Sequence, residues 1–214
     1  MTLGVIRVVS LEATSDISKH GQLMEEFSGI RTVSMSIADQ PNGVHDANSE
    51  QEAVPKIISL AERLSARADV DAVTVSCAAD PAVDQLRQQL DTTVFGAGHC
   101  GASIARAAGS RIGVIGITEA IPAGIATVLG NSLLGYRHSD RAQQTTSLSN
   151  VGVLEDLTEH ASDLADEGAD VLLFACTGFS GIGLKKHLRT HVSIPIIDLI
   201  EAQATSYALI KGTP

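Results

Sequence analysis

The sequence predicts an α/β protein built from two related halves, on three observations. Short apolar, β-branched runs alternate with amphipathic helical stretches along nearly all of the 214 residues. Several of those runs are continuously apolar, as strands of a parallel sheet covered on both faces must be. And Asp71-Ala-Val-Thr-Val-Ser-Cys77 is matched position by position by Asp170-Val-Leu-Leu-Phe-Ala-Cys176, at a constant offset of 99 residues (71 to 170, 77 to 176).

Taken in order, the clearest strands are Leu3–Val9, Thr32–Ile37, Ala72–Ser76, Thr93–Phe95, Arg111–Ile117, Val171–Ala175 and Ile194–Ile197. Glu52–Ala68 sets Val54, Ile57, Ile58, Ala61 and Leu64 on one helical face, and Asn150–Glu167 does the same with Val153, Leu157, Ala161 and Leu164. The segment Ala38–Ser49 holds Pro41, Asn42, Gly43, His45 and Asp46 and reads as a long functional loop that caps a cleft. Ser139–Asn150 reads as a second polar loop. Each copy of the Cys-terminated strand follows an amphipathic helix. Each is followed by a turn, a helix ending at Leu90 or Leu188, and another apolar strand. Gly4-Val5-Ile6 and Gly113-Val114-Ile115 open similar strands upstream, so the chain reads as a twofold internal repeat.

Composition narrows the function. A net charge of −10 argues against binding nucleic-acid phosphate, and 3% aromatic content without Trp argues against a base-stacking platform. No apolar run approaches the ~20 residues of a membrane helix, and the N-terminus lacks the pattern of a signal peptide. Three cysteines with no CxxC fit reduced thiols and a cytoplasmic location better than a disulfide framework or a structural zinc site. No metal and no cofactor is expected. The histidines lack ligand spacing, and Gly113-Val-Ile-Gly116 lacks that of a dinucleotide fingerprint. The expected partner is a small-molecule substrate.

The chemistry lies with Cys77 and Cys176. Ligands of open parallel α/β sheets bind beyond the carboxyl ends of the strands, where both thiols stand. If the halves face one another, each presents a thiol to one side of the ligand. Inversion of a stereocentre needs that arrangement, because a base takes a proton from one face while an acid returns one to the other. A free thiol titrates near pH 8.5, and strand-end dipoles are expected to lower that value. The alternative for either cysteine is a small buried hydrophobe. That is the favoured reading of Cys100, which has no counterpart in the second half.

Val75-Ser-Cys77-Ala-Ala-Asp-Pro81, Ala175-Cys176-Thr-Gly-Phe179 and Ile194-Pro-Ile-Ile-Asp198 resemble the aspartate/glutamate/hydantoin racemase superfamily, with Cys-x-x-Asp-Pro most like its hydantoin branch. The resemblance spans nearly the whole chain. It implies two Rossmann-like domains with parallel four-stranded sheets related by pseudo-twofold symmetry, residues 1–96 with 199–214 forming one and 97–198 the other. It further implies an active site in the interdomain cleft, cofactor-free proton transfer by Cys77 and Cys176, and a homo-oligomer. Two positions depart from the pattern: Ser10-Leu-Glu-Ala-Thr14 replaces an Asn-Pro-Asn-type turn, and Ala78 replaces the Asn or Thr of amino-acid racemases. The substrate is thus a hydantoin or an amino-acid-like compound. The alternatives are a related cysteine-dependent isomerase or decarboxylase of small dicarboxylic acids, or a non-catalytic small-anion-binding protein.

Ser10, Ser76, Ala78, Thr118, Thr177 and Gly178 are the expected substrate-binding positions, placed at the strand ends where hydroxyls and amides meet a ligand. Local turn capping is the competing account of Ser76 and Thr177, and an N-cap for a helix starting near Ile121 that of Thr118. Asp80-Pro81 reads as an N-cap followed by a first-turn proline. Asp198 reads as a cleft residue or a cap, and His45 and His99 as orienting groups or surface histidines.

Overall fold

The computed structural model describes residues 1–211. Among these residues, eight strands form two parallel sheets. The first contains β1 (Thr2–Arg7), β2 (Thr32–Ser36), β3 (Val70–Ser76) and β4 (Thr93–Gly96) in the order β2-β1-β3-β4. The second contains β5 (Ile112–Gly116), β6 (Leu133–His138), β7 (Val171–Phe174) and β8 (Ile196–Ile197) in the order β6-β5-β7-β8. Adding four to each label of the first order gives the second, so the repeat seen in sequence is a repeat of topology.

The helices are α1 (Thr14–Ser28), α2 (Ala47–Ser65), α3 (Val83–Gln89), α4 (Ala97–Ala108), α5 (Ala123–Leu129), α6 (Val153–Asp166), α7 (Gly178–Gly181), α8 (Leu184–Leu188) and α9 (Leu199–Lys211). Strand side chains alternate between faces, and both faces of both sheets are covered. In the first sheet Leu3 and Val5 pack with Met24, Ile200 and Tyr207 under α1 and α9, while Ile6 packs with Ile57 and Leu64 under α2. In the second, Val171 and Leu173 pack with Ile125 and Leu129, while Leu172 and Phe174 pack with Leu157, Leu164 and Leu188. Each fully buried Leu or Phe of this kind contributes about 1.5–3 kcal/mol by leaving water. Helix α4 packs against both α5 and α9 and joins the two cores.

Some boundaries and one element differ from those expected. Helix α2 starts at Ala47 rather than Glu52. Asp46 accepts from the Ser49 amide while the Ser49 hydroxyl accepts from the Asp46 amide, so a reciprocal cap begins the helix inside the segment read as loop. Strand β8 is shorter than Ile194–Ile197, since Pro195 has no amide to give the ladder. Strand β6 has no counterpart among the expected strands. It lies at the sheet edge, its six residues are half-buried, and Gly135 and Arg137 interrupt any apolar run. No helix among the described residues is long and apolar enough to cross a membrane.

Candidate active site

The two halves enclose a cavity of about 560 Å³ at the carboxyl ends of the strands. From the first half it is lined by Val44–Ala47, Glu50 and Cys77–Ala79. From the second it is lined by Ile117–Ala120, Pro122, His138, Gln143–Thr145 and Ala175–Thr177. Cys77 directly follows β3, and Cys176 stands two residues beyond β7, the corresponding strand of the other sheet. The loop from β2 to α2 contributes Val44, His45 and Asp46 to the wall, and its equivalent from β6 to α6 contributes Gln143, Gln144 and Thr145.

Burial decides the state of both thiols. It pushes Cys77 up to about 12 against a hydrogen bond from the Ala79 amide, and the negative charges of Asp80 and Glu50 push in the same direction. It pushes Cys176 up to about 11, against the amides of Gly178 and Phe179 and the Thr145 hydroxyl. The strand-end dipoles do act downward as expected, but desolvation outweighs them, so both sulfurs are protonated at neutral pH. That reverses the expectation of a lowered value.

The expected substrate-binding residues separate into two groups. Ala78, Thr118 and Thr177 line the cavity. Ser10, Ser76 and Gly178 do not, and each supports the wall from behind. The Ser10 hydroxyl accepts from the Gln40 amide at 2.6 Å and pins the loop after β2. The buried Ser76 hydroxyl meets His20 Nδ1 at 2.8 Å and Gln203 Oε1 at 3.4 Å. Gly178 has no room for a side chain, because a Cβ there would stand 2.5 Å from Leu148 Cδ1, and its amide reaches the Cys176 sulfur. Thr177 also spans the halves, its hydroxyl donating to the Ser76 carbonyl at 3.3 Å.

The capping assignments change in two places. Thr118 does not cap α5, whose N-cap is Pro122; its hydroxyl donates to the Ala120 carbonyl at 2.8 Å. Asp80 does not cap α3, whose N-cap is Ala82. It is left-handed at φ 54°, and its carboxylate accepts the Gly98 and His99 amides at 2.9 and 2.7 Å, starting α4 instead. Asp198 does cap its own helix, accepting the Ile200 amide at 2.8 Å with the Ser180 hydroxyl alongside. His45 is on the cavity wall, whereas exposed His99 lends only its backbone to Asp80. Cys100 is buried in the core between α4 and α9.

Residues that the sequence reading did not single out are His20, Glu50, His138 and Gln143–Thr145. The repeat carried a signal for the last three, because their loop occupies the same place in the second sheet as the loop of His45 in the first. His20 carried none, since its role arises only when α1 packs against β3. Away from the cavity lining, Asp140, Asp156 and His160 bring possible metal-ligating atoms within 4.8 Å of one another, though Asp156 already accepts from the Ser139 hydroxyl at 2.6 Å.

Comparison with known proteins agrees with this architecture. Residues 10–207 match the model of the Asp/Glu/Hydantoin racemase family. No curated protein sequence matches the chain. Among solved structures, allantoin racemase from Klebsiella pneumoniae superposes with a TM-score of 0.77 at 16% identity, covering 100% of this chain and 90% of that one. Allantoin racemase from Pseudomonas fluorescens gives 0.75 at 17%, covering 100% and 94%. Glutamate racemase RacE1 from Bacillus anthracis gives 0.70 at 19%, covering 99% and 83%. These likenesses show a shared two-domain fold, and the family match over nearly the full length shows that the chain belongs to the Asp/Glu/hydantoin racemase family, as an enzyme of the isomerase class.

Proposed function

We propose that the protein is a cofactor-independent racemase or epimerase that exchanges a proton at a carbon next to a carbonyl, with a hydantoin or an amino-acid-like compound as substrate. The observation that carries this reading is a single cavity lined by one thiol from each of two equivalent sheets. Cys77 and Cys176 serve as acid and base in turn. One sulfur takes the proton from one face while the other delivers a proton to the opposite face, and the roles exchange for the other enantiomer. The carbonyl next to the stereocentre acidifies the proton, and amides and hydroxyls of the strand-end turns stabilise the enolate-like charge, the Thr118 and Thr177 hydroxyls turning from the Ala120 and Ser76 carbonyls to do so. Ala78 keeps the wall beside Cys77 small and apolar.

Raised thiols suit this chemistry once one proton has been lost. A thiolate held in a poorly solvating cavity is a strong base, and its thiol partner holds a proton ready for the carbanion. The test is deuterium exchange at the α-carbon over a panel of hydantoins and amino acids in D₂O. Cys77→Ala and Cys176→Ala are each expected to abolish racemisation, with one-sided exchange of a single enantiomer surviving at most. Full racemisation by either variant overturns the two-base reading.

A further inference from the structure

The charge of the cavity wall is one-sided. Asp46, Glu50 and Glu119 line it, and no Lys or Arg does among the described residues; the cationic candidates are only His45 and His138. A dicarboxylate entering this space would meet like charge with no arginine or lysine to receive it. The whole chain adds to the effect, at a net charge of −10.

Glu50 is the member of that wall that stands apart. Asp46 is committed to the cap of α2, and Glu119 is exposed. Glu50 is half-buried in the first turn of α2, on the same wall as Cys77, and its charge is felt at that thiol. Its carboxylate has no hydrogen-bond donor and no cation as partner among the described residues. Partial burial raises its proton affinity above that of an ordinary glutamate, while its oxygens keep contact with water. An acidic group in a first turn favours the helix dipole, but a fully solvated position would serve that purpose without the desolvation. A carboxylate left unpaired on a cavity wall is instead a group matched to a donor brought by the ligand.

We propose that Glu50 is a specificity determinant of this cleft, pairing with a positive charge on the side group of the substrate, so that the preferred substrates are hydantoins or amino acids with an ammonium or guanidinium substituent. This rests on the racemase reading above. The test uses 5-(4-aminobutyl)hydantoin, 5-butylhydantoin and 5-(2-carboxyethyl)hydantoin, together with lysine, norleucine and glutamate. Exchange is followed as kcat/KM for the wild type, Glu50→Gln and Glu50→Lys, and thermal stabilisation by the same compounds reports binding without turnover.

The wild type is expected to prefer the aminoalkyl compound to its butyl analogue. Glu50→Gln is expected to reduce that ratio about tenfold, the worth of a charge-assisted hydrogen bond partly open to water. Glu50→Lys is expected to turn the preference toward the carboxyethyl compound, a reversal that misfolding cannot produce. Rising salt should erode the wild-type preference. Equal turnover of aminobutyl and butyl compounds by the wild type overturns the assignment and leaves the racemase reading standing. Absence of exchange with every compound, combined with Glu50-dependent stabilisation by the aminobutyl compound, upholds the cation site and overturns the racemase reading. Absence of both overturns the two together.

Discussion

At the scale of single residues, the strand end that carries Cys77 is held by groups that never touch the cavity. His20 is buried beside the positive charges of Arg7 and Lys19. Burial first, and those charges second, hold it well below its ordinary value, so it is neutral at pH 7. Its Nδ1 is satisfied by Ser76, whose next neighbour in the chain is Cys77. Ser76→Ala leaves that nitrogen without a partner in the core, and the expected cost is about 1–3 kcal/mol in urea unfolding. An unchanged midpoint and slope would show that the pair does not stabilise the fold. The two thiols were legible in the sequence because the repeat aligns them. The His20–Ser76 contact was not, because it joins positions 56 apart through the packing of α1 on the sheet, and no local pattern encodes that.

At the scale of elements, the turn after β3 is shaped by the helix that packs on it. A Cβ at Gly98 would stand 2.1 Å from the Ala78 carbonyl, so α4 approaches the turn closely only through a glycine. Gly98→Ala is expected to displace the backbone next to Cys77 and to lower both melting temperature and turnover, while the same change at exposed Gly124, where a Cβ meets nothing within 4 Å, should lower neither. Asp80 closes the same junction. Burial raises its carboxyl to about 7 from 3.8, despite the two amides that favour its charge. The folded chain therefore holds this proton more tightly than the unfolded chain does. That contribution to stability is complete below pH ~4 and fades as pH rises through 7. In Asp80→Asn this part of the pH dependence of the melting temperature should vanish; its persistence would assign it to other groups. Sequence pattern gave the helix after Asp80-Pro81 but paired the cap with the wrong helix, since capping across 18 residues follows from the fold and not from spacing. Strand β6 escaped for a related reason: an edge strand need not be apolar.

At the scale of the whole molecule, both thiols sit where the halves meet, and both are raised by the enclosure that the meeting creates. On the two-thiol reading proposed above, activity then requires a thiolate that is scarce at neutral pH. For the free enzyme, kcat/KM is expected to rise nearly tenfold per pH unit between about pH 7 and 9, levelling only toward the raised thiol values. A plateau at neutral pH would mean that ligand-free enzyme already carries a thiolate. The two related α/β halves and their paired cysteines could be anticipated from the alternation of elements and the 99-residue offset, whereas the four-stranded sheets were implied only by the family resemblance and the strand order came only with the fold. The charge of the cavity wall could not, because Glu50 and Glu119 come from opposite halves and only the assembled fold lists them together.

The shared strand order has one more consequence. A dimer of identical half-chains would present two indistinguishable thiols, so neither sulfur would belong to one enantiomer. Here the two halves belong to one chain and differ, with Ala78 beside one sulfur and Thr177 beside the other. On the two-base reading the enantiomers meet different bases, and kcat and KM are free to differ between the two directions. Their quotient is not free. Mirror-image compounds have equal free energies, so a racemase must show the same kcat/KM both ways, and whatever one thiol gains in turnover for its enantiomer must be matched by a proportionally higher KM.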